Sequence, residues 1–202
     1  MRQPFRRIEP RKKVGTRKPK AKVVDEPEPV LKVKKLPKPG KQAFLILGPE
    51  SSGTRLHAKM LKANGVFGGD GHYQKLDTMD RGLLEGRETT FLRRSFPHGG
   101  LTHPVSPHIL TFFEDYPVTA IVTMRAWKYL LGSHSHIKTA EQAAERYRQI
   151  FDFIFKNNLK YVMSSMEALI AHPGPQQAWL FDTLGLPLQK IIEIRDCNSK
   201  YE

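Results

Sequence analysis

The sequence predicts an α/β fold of three layers around a mainly parallel sheet, preceded by a disordered basic N-terminal tail. Three observations carry that expectation. Short continuous apolar runs stand at Ala43–Leu47 and Val118–Met124, and runs of that kind form strands buried on both faces, as in a parallel sheet. Between and after them lie segments with apolar residues at helical spacing, the longest from Thr139 to Asn157. Strands alternating with helices are the signature of parallel α/β layering. Charge, finally, is segregated to one end of the chain.

The segregation sets the domain boundaries. Of the net charge of +13 on 202 residues, residues 1–41 supply 15 Lys/Arg against 4 Asp/Glu, whereas residues 42–202 hold 18 against 16. The tail repeats Pro among Lys and Arg, as in R-K-P-K-A-K and K-K-L-P-K-P-G-K. Proline blocks helix and sheet, and too little apolar surface is present to offset ordering entropy. Residues 1–41 therefore read as a disordered tether or as an electrostatic arm for nucleic acid or another polyanion. Residues 42–202 read as one folded domain. The single cysteine, Cys197, excludes an internal disulfide framework and points to a reducing, cytoplasmic setting. No apolar run approaches the roughly 18 residues of a membrane span, and none follows the basic start as a secretory signal requires.

Taken in order, Ala43–Leu47 is the first strand. Thr54–Ala63 is a helix, with Leu56, Met60 and Ala63 at helical spacing and Asn64-Gly65 as its stop. Val66–Glu88, rich in Gly and polar residues, is expected to form loops with a short helix. Thr89–Phe96 is the next strand and Val105–Glu114 a helix. Val118–Met124 is the second fully buried strand, and Thr139–Asn157 the long helix. Leu159–Met163 is a strand, Met166–Ala171 a short helix, and Gly174–Leu184 a helix closed by Gly185. Lys190–Ile194 is expected to be an edge strand.

The segment Gly48–Arg55, G-P-E-S-S-G-T-R, joins the first strand to the first helix. In a P-loop-type strand–loop–helix unit, backbone N–H groups and the helix dipole make an anion site. Gly48 and Gly53 let the backbone curl around a phosphate, Ser51, Ser52 and Thr54 add hydroxyls, and Arg55 adds charge. The spacing G-x4-G opens like a triphosphate loop, but the following Lys-Ser/Thr is replaced by Thr54-Arg55. A phosphate-binding loop for a kinase or nucleotide triphosphatase also calls for an apolar strand ending in Asp, and Val118–Met124 runs into Arg125 instead. Arg125, with Ser133 eight residues on, follows the carboxyl end of a buried strand, where ligands of open α/β sheets collect. An arginine and a hydroxyl there suit a phosphate monoester.

Three segments together resemble the sulfotransferase family that uses 3'-phosphoadenosine 5'-phosphosulfate (PAPS). L-I-L-G-P-E-S-S-G-T-R-L resembles the family's 5'-phosphosulfate loop. I-V-T-M-R-A-W-K-Y-L-L-G-S resembles its 3'-phosphate motif. Y-V-M-S-S-M-E-A-L-I-A-H-P followed by W-L-F-D-T-L-G-L-P resembles its C-terminal strand, turn and helix. The resemblance covers most of Ala43–Leu188. It implies that Ser51, Ser52, Gly53, Thr54 and Arg55 hold the 5'-phosphosulfate, that Arg125 and Ser133 hold the 3'-phosphate, and that Glu167 is structural. The implied activity is sulfuryl transfer from PAPS to a hydroxyl or amine of a small-molecule or glycan acceptor, without a metal.

Two positions depart from the family's pattern. Where the family has Lys or Arg two residues before the loop glycine, this chain has Ser51. Where many members have a base on or after the next strand, it has L-R-R-S-F-P-H-G. Arg93 or Arg94 is then the candidate for the missing cation, and His98 or His72 for the base. His103, His108, Asp70 and Glu50 are weaker candidates for proton transfer. The alternatives are a nucleotide-binding protein of the same fold with impaired catalysis, or a P-loop kinase or triphosphatase.

Overall fold

The computed structural model describes residues 40–69, 84–95, 108–132, 137–196 and 198. Five strands among them form one all-parallel sheet: β1 (Gln42–Gly48), β2 (Phe67–Gly69), β3 (Thr89–Ser95), β4 (Val118–Met124) and β5 (Lys160–Ser165), in the order β2-β3-β1-β4-β5. β1 is central because its residues are apolar on both faces. Phe44, Leu45, Ile46 and Leu47 are each at most 1% exposed, and each contributes roughly 1.5–3 kcal/mol by leaving water.

The period of two along the strands divides the core. Ala43, Leu45 and Leu47 of β1, Leu92 of β3 and Ala120 and Val122 of β4 face one layer, made by α2 (His108–Phe112) and α4 (Ala140–Lys156). Phe44 and Ile46, Phe91 and Ile121 face the other, made by α1 (Thr54–Ala63), α5 (Met166–Ala171) and α6 (Pro173–Thr183). α3 (Trp127–Gly132) packs beside α4 through Leu130, Ile137 and Ala143. The three-layer, parallel α/β expectation is met.

Local chemistry accounts for the helix ends. The Thr139 hydroxyl accepts from the Gln142 N–H at 3.2 Å and starts α4, and Asn157 caps its end. Ser165 plays the same part for α5, accepting from the Ala168 N–H at 3.2 Å. Pro173 opens α6 at the position where a missing N–H costs nothing.

Two expectations are corrected. Phe67–Gly69 is a strand, pairing Gly68 with Phe91, although the sequence reads there as loop. Lys190–Ile194 is not a strand; residues 186–196 run without helix or strand over the α1 and α6 layer, and Ile192 and Ile194 pack onto that core.

Because every strand is parallel, the carboxyl ends Gly48, Ser95, Met124 and Ser165 share one edge of the sheet. The chain leaves β1 toward β2 on one side and leaves β4 toward β5 on the other. That reversal opens a crevice between β1 and β4 at the carboxyl edge, the usual ligand position in an open α/β sheet. No helix among the described residues is long and apolar enough to cross a membrane.

Candidate functional site

Gly48–Arg55 occupies the lip of that crevice. It leaves β1 at Gly48, turns through Pro49–Ser52 with the Ser52 N–H on the Pro49 carbonyl at 3.1 Å, and enters α1 at Thr54. A Cβ on Gly48 would run into the side-chain oxygens of Thr123 and Ser52. Gly53 has φ +100° and ψ 11°, and a Cβ there would stand 2.8 Å from the Met166 sulfur. Both glycines of the loop are therefore required by its path. Ser51 adopts φ +67° without being glycine. Such strain persists only where surrounding contacts enforce it.

Two loop hydroxyls are fastened to different strands. The buried Thr123 hydroxyl donates to the Leu47 carbonyl at 3.3 Å, so the Ser52 hydroxyl donates to Thr123 Oγ1 at 2.6 Å. Ser52 is 0% exposed; its side chain braces β1 against β4 inside the crevice. Thr54 Oγ1 lies 3.0 Å from Ser95 Oγ at the end of β3. Arg93, 6% exposed, donates from Nη1 to Ser95 Oγ at 3.1 Å and to Thr54 Oγ1 at 3.4 Å. Arg94 shares its sheet face with Leu92, the opposite side from Arg93. Arg55 is exposed on the first turn of α1, which carries no side-chain cap.

Arg125 brings the two predicted phosphate segments together. Its Nη1 donates to the Ser51 carbonyl at 2.7 Å, its Nη2 donates to Asn198 Oδ1 at 2.7 Å, and its guanidinium lies 5.6 Å from the Tyr129 ring centre. The Arg125 N–H donates to the Tyr147 oxygen at 3.0 Å, while the Tyr147 hydroxyl donates to the Thr123 carbonyl at 3.3 Å. Burial pushes the Tyr147 phenol up to about 12, so it keeps the proton that this bond needs. Glu167 ties β4 to β5, accepting from the Ala126 N–H at 3.0 Å and from Ser165 Oγ at 3.2 Å.

His57 is the site residue that sequence reasoning missed. It is fully buried one turn into α1. Nδ1 faces the Gly53 carbonyl at 2.9 Å and must donate, so Nε2 accepts from the Ser164 hydroxyl at 2.8 Å. Burial lowers its pKa to about 4, and the imidazole stays neutral. The available signal was its place four residues after Gly53, on the face shared with Met60 and Leu61.

The predicted Gly48, Ser51, Ser52, Gly53, Thr54, Arg55 and Arg125 thus lie along one edge, and a direct hydrogen bond joins Arg125 to Ser51. His72, His98 and Ser133 lie outside the described residues, as does the tail up to residue 39. A cavity of about 590 Å³ lined by Gln42, Thr119, Lys160 and Gly185 sits at the opposite, amino-terminal end of the strands. It brings no convergent charged groups besides Lys160 and is remote from the loop. No protein-family model matches this chain, and no curated protein is similar to it at a significant level.

Proposed function

We propose that the chain binds PAPS at the carboxyl edge of β1 and β4 and catalyses transfer of its sulfuryl group to a hydroxyl or amine acceptor. The observation that carries this reading is the 2.7 Å hydrogen bond from Arg125 Nη1 to the Ser51 carbonyl. It joins a glycine-bounded loop at a helix N-terminus to a guanidinium just past the end of the neighbouring strand β4. The first suits one anionic group and the second another, and a ligand phosphorylated at two separated positions matches such a pair. The lack of the triphosphate loop's lysine at Thr54 turns the reading away from ATP. The close path at Gly48 and Gly53 fits a backbone cradle.

Bound there, PAPS would supply the sulfuryl group and depart as adenosine 3',5'-bisphosphate. Arg93, buried against Thr54 and Ser95, is the cation suited to the charge that gathers where the loop meets the leaving phosphate. His98 and His72 remain the sequence candidates for taking the acceptor's proton, and Arg94 the alternative cation. A small-molecule or glycan acceptor and a cytoplasmic setting belong to the same reading.

A second reading is favoured by Ser51. Its carbonyl is committed to Arg125, its backbone is left-handed, and it carries no charge at a position where the resembled family has a cation. A nucleotide-binding protein without turnover would look the same at this loop. Calorimetric titration with PAPS, followed by assay for adenosine 3',5'-bisphosphate release across an acceptor panel, decides among these. Binding with release supports transfer, binding without release supports the second reading, and no binding at high micromolar PAPS overturns both.

A further inference from the structure

Beyond α6 the chain forms a strap. Two side-chain amides hold it to the α1 and α6 layer. Asn64 accepts at Oδ1 from the N–H groups of Gln189 and Lys190, both at 2.7 Å, and donates from Nδ2 to the Lys190 carbonyl at 2.9 Å. Gln177 donates from Nε2 to the Ile192 carbonyl at 2.8 Å and accepts at Oε1 from its N–H at 2.9 Å. Both amides are buried, and each satisfies strap backbone as a neighbouring strand would. At Asn198 the strap reaches the carboxyl edge of the sheet. There Asn198, 6% exposed, donates its N–H to Asp196 Oδ1 at 2.9 Å and places its own Oδ1 2.7 Å from Arg125 Nη2.

We propose that this strap is a latch on the anion site: the Asn198 carboxamide oxygen holds the edge of Arg125 that an anionic ligand oxygen takes when the site fills. The inference rests on the reading of Arg125 as a phosphate-binding residue. A carboxamide oxygen is a neutral acceptor in the place of a phosphate oxygen, and a charged acceptor makes the stronger bond to a guanidinium. Nη1 stays on the Ser51 carbonyl during the exchange, so the loop remains braced while Nη2 changes partner. The two amide clamps lie upstream at Gln189–Ile192. Only the Asn198 carboxamide has to give way, and ligand and Asn198 compete for one guanidinium edge.

The test titrates adenosine 3',5'-bisphosphate into the full chain as wild type, Asn198→Ala and Asn198→Asp. Removing the competing acceptor should tighten binding about five-fold, and a competing carboxylate should weaken it about ten-fold or more. Affinities of both variants within about two-fold of wild type overturn the latch while leaving the nucleotide reading intact. Weaker binding by Asn198→Ala also overturns it, since Asn198 would then be part of the ligand's site. If wild type binds no bisphosphate, the PAPS reading fails, and the latch is read without nucleotide. Phenylglyoxal modification of Arg125, mapped by peptide mass spectrometry, should run about three-fold or more faster in Asn198→Ala, because the guanidinium loses one of its charge-assisted bonds. Equal modification rates overturn the latch.

Discussion

Arg125 and Ser51 stand 74 residues apart in the chain, yet a 2.7 Å hydrogen bond from the Arg125 guanidinium to the Ser51 carbonyl holds the loop in its left-handed turn. Ser51 sits at φ +67°, where an L residue is strained. The two halves of that relationship predict opposite effects. Ser51→Gly should stabilise the fold by about 0.5–1 kcal/mol, by removing the Cβ penalty. Arg125→Ala should destabilise it by about 1.5–3 kcal/mol, the usual loss for a hydrogen bond to a charged group. It should also weaken binding of adenosine 3',5'-bisphosphate. Urea denaturation of each variant, with m-values checked for constancy, measures the first pair of effects, and calorimetry the last.

The Ser52–Thr123 pair makes a second prediction. Ser52 donates to Thr123, and Thr123 to the Leu47 carbonyl, so the buried hydroxyls form a directed relay where β1 meets β4. Thr123→Val leaves the buried Ser52 hydroxyl without its acceptor and should cost about 1–3 kcal/mol. Ser52→Ala combined with Thr123→Val should cost less than the two single changes added together, because the orphaned group is gone. Gly48→Ala drives a methyl into the same two oxygens, and overpacking there should cost about 1–3 kcal/mol. A denaturation cycle on these four variants shows whether the crevice is organised this way; strict additivity of Ser52→Ala and Thr123→Val would rule out the relay.

His57 makes acid stability a local property. Its pKa falls from 6.5 to about 4 on burial. Well above pH 6.5 it is neutral both folded and unfolded, and the fold is at full strength. Between pH 6.5 and 4 the unfolded chain takes up a proton that the folded chain refuses, so stability falls as pH falls. Below about pH 4 both states are protonated and this contribution flattens. At about 1.4 kcal/mol per pH unit, the window amounts to about 3 kcal/mol. His57→Gln keeps an amide to bridge the Gly53 carbonyl and Ser164 but does not titrate. Its stability should lack this slope, so the wild-type and variant curves should converge or cross toward pH 4. Parallel curves across that range would show that His57 is protonated more readily than its burial implies.

Much of the fold is legible because local chemistry and burial agree. β4 is the apolar run Val118–Met124 itself, α5 begins where Ser165 caps it, and α4 lies between Thr139 and Asn157. Lys190–Ile194 misleads for a physical reason. Ile192 and Ile194 pack on the α1 and α6 core while Ile191 is exposed, and side-chain amides take the backbone groups that a strand would share with a neighbour. β2 is hidden for the converse reason: Phe-Gly-Gly has no alternation to detect. Within the site, the glycines and Arg125 declare themselves by their place after apolar strands. The pairings Ser52–Thr123 and Arg125–Asn198 span 71 and 73 residues, and no periodicity records them. His57 is concealed by looking like one more residue on a helix face.

Arg93 and Arg94 separate the proposed chemistry from simple charge. Neighbours in sequence, they fall on opposite faces of β3. Arg93 is buried against the hydroxyls of Thr54 and Ser95, and Arg94 lies on the side of Leu92. If the reaction draws on a cation at the loop, Arg93→Gln should lower the rate of sulfuryl transfer by about 100-fold or more, the scale seen when one charge-stabilising donor is removed. Its effect on adenosine 3',5'-bisphosphate affinity should be much smaller, since the interaction strengthens as charge develops. Arg94→Gln should leave the rate within about ten-fold of wild type, a change of about 1.4 kcal/mol in barrier. Arg93→Lys returns the charge without the fork and should recover part of the loss. Single-turnover assays alongside binding titrations separate these outcomes. A rate loss confined to Arg94→Gln would move the cation to the other face of β3, and equal losses of binding and rate in Arg93→Gln would reduce Arg93 to a brace for Thr54.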